Sequence, residues 1–334
     1  MMARDGAQPA YDPAGHDTGL RSALQELRAG RWMSMRALLD ETTSWSRWTQ
    51  RTQVLAASAA GTDVVRAWLT EEPHSVPAAV MHARVVVERA LRAHREDHPR
   101  TRELWLQAWH ACDAATRSAP YDPVPWVCLL ALARLDEEQR WDEHRMAPPE
   151  PMLPAGPWGM LAQAGKRDPY NREAHHRMLQ FLYPRGGSER LAQAAGFAQW
   201  AAGSAPPGSA LHMLPLYVRV ERYRRSGGRE AALDLHWVAE DATREARQAY
   251  HSWFALTPHD ERSQLDMNHL AHALWGALRF SEADRVFDAI GPYWTPQPWA
   301  CRAPGTGSSQ RAVAVFLQAR TRSRSAAHGG GRQP

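Results

Sequence analysis

The sequence predicts an all-α fold, an α-α superhelix of stacked antiparallel helical hairpins, and three observations carry that prediction. From Gly19 onward nearly every periodic segment places its apolar residues at helical spacing, and no β-branched alternation runs long enough for a strand. Pro and Gly punctuate these segments at short intervals, and short connections force antiparallel neighbours. A spacing of small, apolar and Pro residues also recurs along the chain, as in repeat architectures.

Taken in order, residues 1–18 (MMARDGAQPAYDPAGHDT) are polar, Gly/Pro-rich and aperiodic, and are expected to be a disordered leader. Helices are expected over 19–29 and 31–42, parted at Gly30, and over 46–60 and 62–72, parted at Gly61. The next cover 77–95 after Pro73 and Pro77, 101–118 after Pro99, and 124–139 after Pro120. Met146 to Trp158 (MAPPEPMLPAGPW) carries five prolines and is expected to join two lobes, 19–145 and 159–301. Beyond it, helices are expected over 158–167, 172–183 after Pro169, 188–203 after Pro184 and Gly186-Gly187, and 209–225 after Pro206-Pro207. The last three cover 228–250 at Gly227-Gly228, 261–278 after Pro258, and 281–290 before Gly291-Pro292. Proline cannot continue a helical ladder, and glycine adopts the left-handed conformation that closes one.

With 44% hydrophobic and 23% charged residues in 334, the chain has globular composition. Its longest apolar run, Pro123 to Ala133, is about half the ~20 residues a bilayer helix needs, and MMARDGAQPA does not resemble a signal peptide. A cytoplasmic location without membrane contact is expected. Cys112, Cys128 and Cys301 are too few and scattered for a disulfide framework and read as plain thiols. Of the net charge of +4, Arg302 to Pro334 supplies +6, leaving −2 on residues 1–301. The excess therefore lies in an expected basic flexible tail, 302–334, and the folded body is not expected to bind nucleic acid. Fifteen tryptophans point to a well-packed interior or an adhesive groove.

The repeated spacing reads Ala108–Cys112–Ala115–Pro120–Trp126, then Pro157–Leu161–Ala164–Pro169–His175, then Ala194–Ala198–Ala201–Pro206–His212, with Ala283–Phe287–Ile290 keeping the first three slots. Small residues permit a close helix crossing, Pro ends the helix, and a bulky residue anchors the next. Such a hairpin buries its apolar face only by stacking on its neighbours.

These spacings resemble the tetratricopeptide repeat. Trp126, Leu129 and Leu130, with the preceding Ala108, Cys112, Ala115 and Pro120, occupy its slots, as do Leu270-Ala271, Leu278 to Ala283, and Phe287. Gly227 to Ala232 with His236 and Ala239, and Gly30-Arg31-Trp32 with Met35 and Leu39, resemble further pieces of such units. The prolines stand 49 and 37 residues apart where that family has ~34, and Leu130 and Leu179 fill a slot usually small. The resemblance covers roughly residues 100–290 as degenerate repeats. Asp168-Pro169-Tyr170-Asn171, Met178-Leu179, Tyr183 to Ser188 and Ala198 are also similar to a bacterial helical-repeat domain family of unknown function. There a Pro-x-x-Gly-Ser turn joins two helices. Here Gly186 or Gly187 can close one helix and Ser188 cap the next.

Common nucleotide, hydrolase and zinc-protease signatures are absent from the sequence. No cofactor, catalytic residue or metal ligand is expected. The one constellation that could carry an enzymatic or metal site is His251, His259, Asp260, Glu261, Asp266, His269 and His272, with His269 and His272 on one helical face. Trp105 and Trp109, like Trp45 and Trp48, read as core stripes, His175 as packing at a helix start, and Asp136-Glu137-Glu138 and Arg224-Arg225 as solvated faces. The resemblance implies a non-catalytic scaffold binding a peptide or protein partner in a concave groove. Projection from His175, His212 and Met267 places His176, Gln180, Tyr183, Tyr217, Glu221, Asn268, His272 and Trp275 along it.

Overall fold

The computed structural model describes residues 8–183, 187–226, 234–303 and 308–329. Among these the chain is helical and forms no strand, and β-type pairing is limited to two isolated bridges, Ala10 with Tyr293 and Met146 with Gly156. No helix among them is long and apolar enough to cross a membrane. The turn at 184–186, the side chain of Ser188, and the turn beginning at Gly227 lie outside the described residues. The chain divides into two compact units. One is His16–Phe197, and the other joins the residues up to Gly15 with those from Ala198 on.

The first unit contains α1 (Thr18–Arg28), α2 (Met33–Asp40), α3 (Trp45–Ala59), α4 (Val64–Glu71), α5 (Val76–Arg95), α6 (Thr101–Ser118), α7 (Val124–Ala133), α8 (Trp158–Gly165) and α9 (Arg172–Leu182). Short side chains start several of these. Asp17, Ser44, Ser75 and Asn171 accept from the backbone N–H groups of Leu20, Arg47, Ala78 and Ala174. The apolar run at Pro123 becomes α7, buried at nearly every position and packed by α5, α6, α8 and α9. A helix with no polar face is stable only when enclosed on all sides.

Two charged helices meet beneath it. Arg84 of α5 forks onto Glu173 of α9, with Nη1 to Oε1 at 3.0 Å and Nη2 to Oε2 at 2.6 Å, and Arg177 Nη2 donates to Glu173 Oε1 at 2.8 Å. All three residues are buried. Burial alone would raise the Glu173 carboxyl, but Arg84 and Arg177 hold it down to about 2.

The Pro-rich segment 146–158 lies within this unit, and the division falls inside α10 (Gly187–Ser204). Proline content resembles a linker, yet buried Leu153 and Trp158 anchor the segment, and Trp158 Nε1 donates to the Pro154 carbonyl at 2.8 Å. A Cβ on Gly156 would come within 2.8 Å of Met178 Cε, so the loop passes close over α9.

The second unit holds the end of α10, a 3-10 turn (Ala210–Met213), α11 (Leu214–Arg225), α12 (Asp234–Val238), α13 (Glu240–Ala249), a π-helical turn (Tyr250–Phe254), a 3-10 turn (His259–Glu261), α14 (Gln264–Gly276), α15 (Phe280–Ile290), a 3-10 turn (Trp299–Arg302) and α16 (Ser308–Gly329). The helix expected over 228–250 is broken at Ala239, whose extended ψ of 145° separates α12 from α13. At the centre, α14 is buried along most of its length and packs on α11, α12, α13, α15 and α16.

Two expectations of disorder are corrected here. Ala10 N–H donates to the Pro292 carbonyl at 2.9 Å, Trp294 N–H donates to Ala10 at 3.1 Å, and Ala14 is buried. Part of the leader is therefore held by main-chain bonds that composition does not reveal. The basic tail forms α16, which buries Ala312, Phe316, Ala319 and Ser323 on one stripe beneath its arginines.

The small residues of the repeated spacing are buried: Ala108, Cys112, Ala115, Ala164, Ala194, Ala198, Ala201 and Ala283. The hairpins α6–α7, α8–α9 and α14–α15 pack as adjacent pairs.

The α14–α15 turn is a Schellman closure, with Arg279 N–H to the Leu274 carbonyl at 2.8 Å and Leu278 N–H to the Trp275 carbonyl at 3.1 Å. Its left-handed position is filled by Leu278, at φ 58° with a half-exposed side chain. Leu278→Gly removes the Cβ penalty and little packing, so a gain of about 0.5–1 kcal/mol is expected in urea unfolding. A loss would show that the leucine packs better than its exposure indicates.

Candidate functional site

An open groove of about 610 Å³ lies in the first unit where the start of α6 faces the turn after α7. Pro99, in the α5–α6 connection, lies beside Thr101, Arg102, Trp105 and Leu106 on one wall, and Leu135, Asp136, Glu137, Glu138, Arg140 and Trp141 supply the other. Trp105 is fixed from behind, its Nε1 donating to the Leu132 carbonyl at 3.1 Å. Trp109 stacks on it at 5.3 Å, and Trp141 meets Trp105 edge-on at 4.9 Å and Trp109 at 5.1 Å. Trp141 and Leu106 are each 38% exposed, so the groove presents apolar surface to solvent.

Asp136 organises the opposite wall. Its carboxylate accepts from the backbone N–H of Arg140 at 3.0 Å and of Trp141 at 3.1 Å, and lies 2.8 Å from Nδ1 of buried His144. Burial pushes this carboxyl up, and the Arg140, His144 and Trp141 bonds outweigh it and lower its pKa. Glu137, Glu138, Arg102 and Arg140 line the rest of the groove. Flat aromatic faces beside charges of both signs are suited to recognition.

The residues projected from the repeat fall elsewhere. His176 and Gln180 are half-buried within α9 and Tyr183 is half-buried at its C-cap, and Gln180 accepts from Arg177 at 3.2 Å. The other five belong to the second unit. Tyr217 donates to Asp266 at 2.5 Å and stacks on His269 with centroids 3.8 Å apart. Glu221 pairs with Arg224 and Arg225 at 2.7 Å, and although burial raises its carboxyl, these partners lower it. Asn268 accepts from Trp299 Nε1 at 2.9 Å, His272 from Arg302 Nε at 2.7 Å, and Trp275 lies under the Arg302 guanidinium at 4.7 Å. Asn268 and His272 are 0% exposed. That corrects their placement along an open groove: α14 is enclosed, so its inward face meets other side chains instead of solvent.

The His-rich segment does not assemble a ligand set. His259 Nε2 lies 3.2 Å from the Ala289 carbonyl, His269 Nδ1 lies 3.0 Å from the Leu265 carbonyl, and the rings point to different partners. Among the described residues no three His, Cys, Asp or Glu side chains are grouped so as to hold a metal ion.

Trp105 is buried, as its reading as a core residue implies, and Trp109 is half-buried, while Asp136, Glu137 and Glu138, which the sequence reads as a solvated face, line the groove. The missed signal was Trp141, an aromatic in a polar stretch directly after an acidic run. Comparison of the chain with protein-family models, with curated proteins and with solved structures gives no match.

Proposed function

We propose that this chain is a non-catalytic binding module built from degenerate tetratricopeptide-like hairpins, and that it takes a peptide or protein segment as its partner. Consecutive helices packing as pairs, with buried small residues at the recurring spacing, support the repeat reading. The observation that carries the binding reading is the groove between Trp105 and Trp141, with exposed apolar surface held between charges. Aromatic side chains in such positions are the usual energetic anchors of an interface.

Selection of peptides from a random display library on the full chain tests this directly. Trp141→Ala removes an exposed ring and is expected to leave the helical circular dichroism intact. It should weaken the selected peptides at least tenfold, the loss of a hot-spot residue. Peptides that bind the variant as tightly as the parent would place recognition elsewhere, and failure to select any would remove the reading.

A further inference from the structure

The charges around the aromatic groove are unequally engaged. Three carboxylates and two guanidiniums line it. Asp136 accepts from the backbone N–H groups of Arg140 and Trp141 and pairs with His144. Glu138 accepts from Arg140 Nε at 2.6 Å, and Glu137 lies 3.5 Å from His94 Nε2. Arg102 differs. It is exposed, and among the described residues its side chain makes no hydrogen bond, ion pair or ring contact.

The acid next to it in the chain is already taken. Arg100 forks onto Glu103, with Nε to Oε2 at 2.9 Å and Nη2 to Oε1 at 2.8 Å. Arg102 also stands in the first turn of α6, where the helix dipole disfavours a cation and favours an anion. In the same groove Leu106 and Trp141 present apolar surface, and its volume of about 610 Å³ is in the range of ligand sites.

A cationic partner would have to draw a carboxylate away from bonds it already makes. An acidic partner meets a guanidinium with none to give up, and a carboxylate matches the guanidinium fork. Building on the peptide-binding reading, on which this rests, we propose that the partner is an acidic segment. The carboxylate of an Asp or Glu side chain pairs with Arg102, while an adjoining apolar side chain lies on Trp141 and Leu106.

The test uses the peptides selected on the full chain from the random display library. Asp or Glu should be enriched among those that lose affinity with Trp141→Ala. For the tightest of them, changing its acidic residue to the matching amide should weaken binding about threefold, as loss of a partly exposed ion pair does. Arg102→Gln should cost as much, and the two changes together should cost no more than either alone. Arg102→Glu should reverse the preference, so that a Lys form of the peptide binds better than the acidic form. Circular dichroism confirms that both variants are folded. Trp141-dependent peptides without an acidic residue, additive losses, or an unchanged preference with Arg102→Glu would overturn the acidic partner and leave the groove as the binding site. If no peptide is selected, or none depends on Trp141, both readings fall.

Discussion

Replacing Glu173 with Gln is expected to destabilise the first unit by about 3–5 kcal/mol, because it leaves a buried guanidinium without its counter-charge. Arg84 is 2% exposed, and its remaining partner is the Thr49 carbonyl at 3.2 Å. Arg177 suffers less, since Glu88 lies 3.5 Å away and Gln180 accepts from it. Glutamine keeps the volume, so the loss reports charge and not a cavity. Urea unfolding followed by circular dichroism measures it. Pairing the change with Arg84→Met should recover much of the loss, since neither partner then buries a lone charge. If the double variant is no better than Glu173→Gln alone, the cost lies elsewhere.

The same carboxyl sets an acid limb. Its pKa is lowered on folding from 4.5 to about 2, so the stability it contributes is present above pH 4.5 and is lost as pH falls toward 2, about 3 kcal/mol in all. His175, which burial pushes down to about 4, adds a loss in the same direction between pH 6.5 and 4. Asp122 acts oppositely. Burial raises it to about 6 against the Val124 N–H, so the unit gains stability from it as pH falls from 6 to 3.8. The Glu173→Gln variant should therefore lose the decline below pH 4.5, while the His175 and Asp122 contributions, opposite in sign over nearly the same pH range, remain and largely offset each other.

Phe316→Ala is expected to cost the second unit about 3–5 kcal/mol, the usual penalty for emptying a buried phenyl site. Phe316 is 0% exposed and meets Phe287 at 5.5 Å, Trp299 at 5.3 Å and Trp294 at 6.4 Å. These tryptophans make intrinsic fluorescence a direct reporter of the unfolding. Arg324 to Asp288 at 3.1 Å and Arg320 to the Gly291 carbonyl at 3.2 Å hold the rim of α16, but such exposed or half-exposed contacts are worth little beside the phenyl ring. A loss below about 1 kcal/mol would mean that α16 is not part of this core.

The helical class was legible because its periodicity is local, and so were chain breaks where glycine provides the special conformation. Gly30, at φ 81°, closes α1 with Arg31 N–H bonded to the Glu26 carbonyl at 3.0 Å. Two equivalent closures were less visible, because Asp97 at φ 48° and Leu278 at φ 58° occupy the same left-handed position with residue types that do not announce it. The stripe of α16 was hidden for a different reason. Its buried residues are mostly alanine and serine, interleaved with Arg320, Arg322 and Arg324, so average composition reads as polar. The groove depends on Trp141 returning from a loop to meet Trp105 and Trp109, and no local pattern encodes which distant aromatic a loop residue will touch. For α14 the resemblance of Leu270-Ala271 to repeat slots implied a packed helix, but not that neighbours would enclose it along most of its length and bury Asn268 and His272.

The bridge between Ala10 and Tyr293 bears on the order in which this chain is assembled during translation. The stretch around Ala10 is made before residues 16–197, and the main-chain partners it has in the fold, Pro292 and Trp294, are made after them. All of His16–Phe197 emerges in that interval. His16–Phe197 is complete in sequence first, while the other unit closes only when its two separated parts are both present.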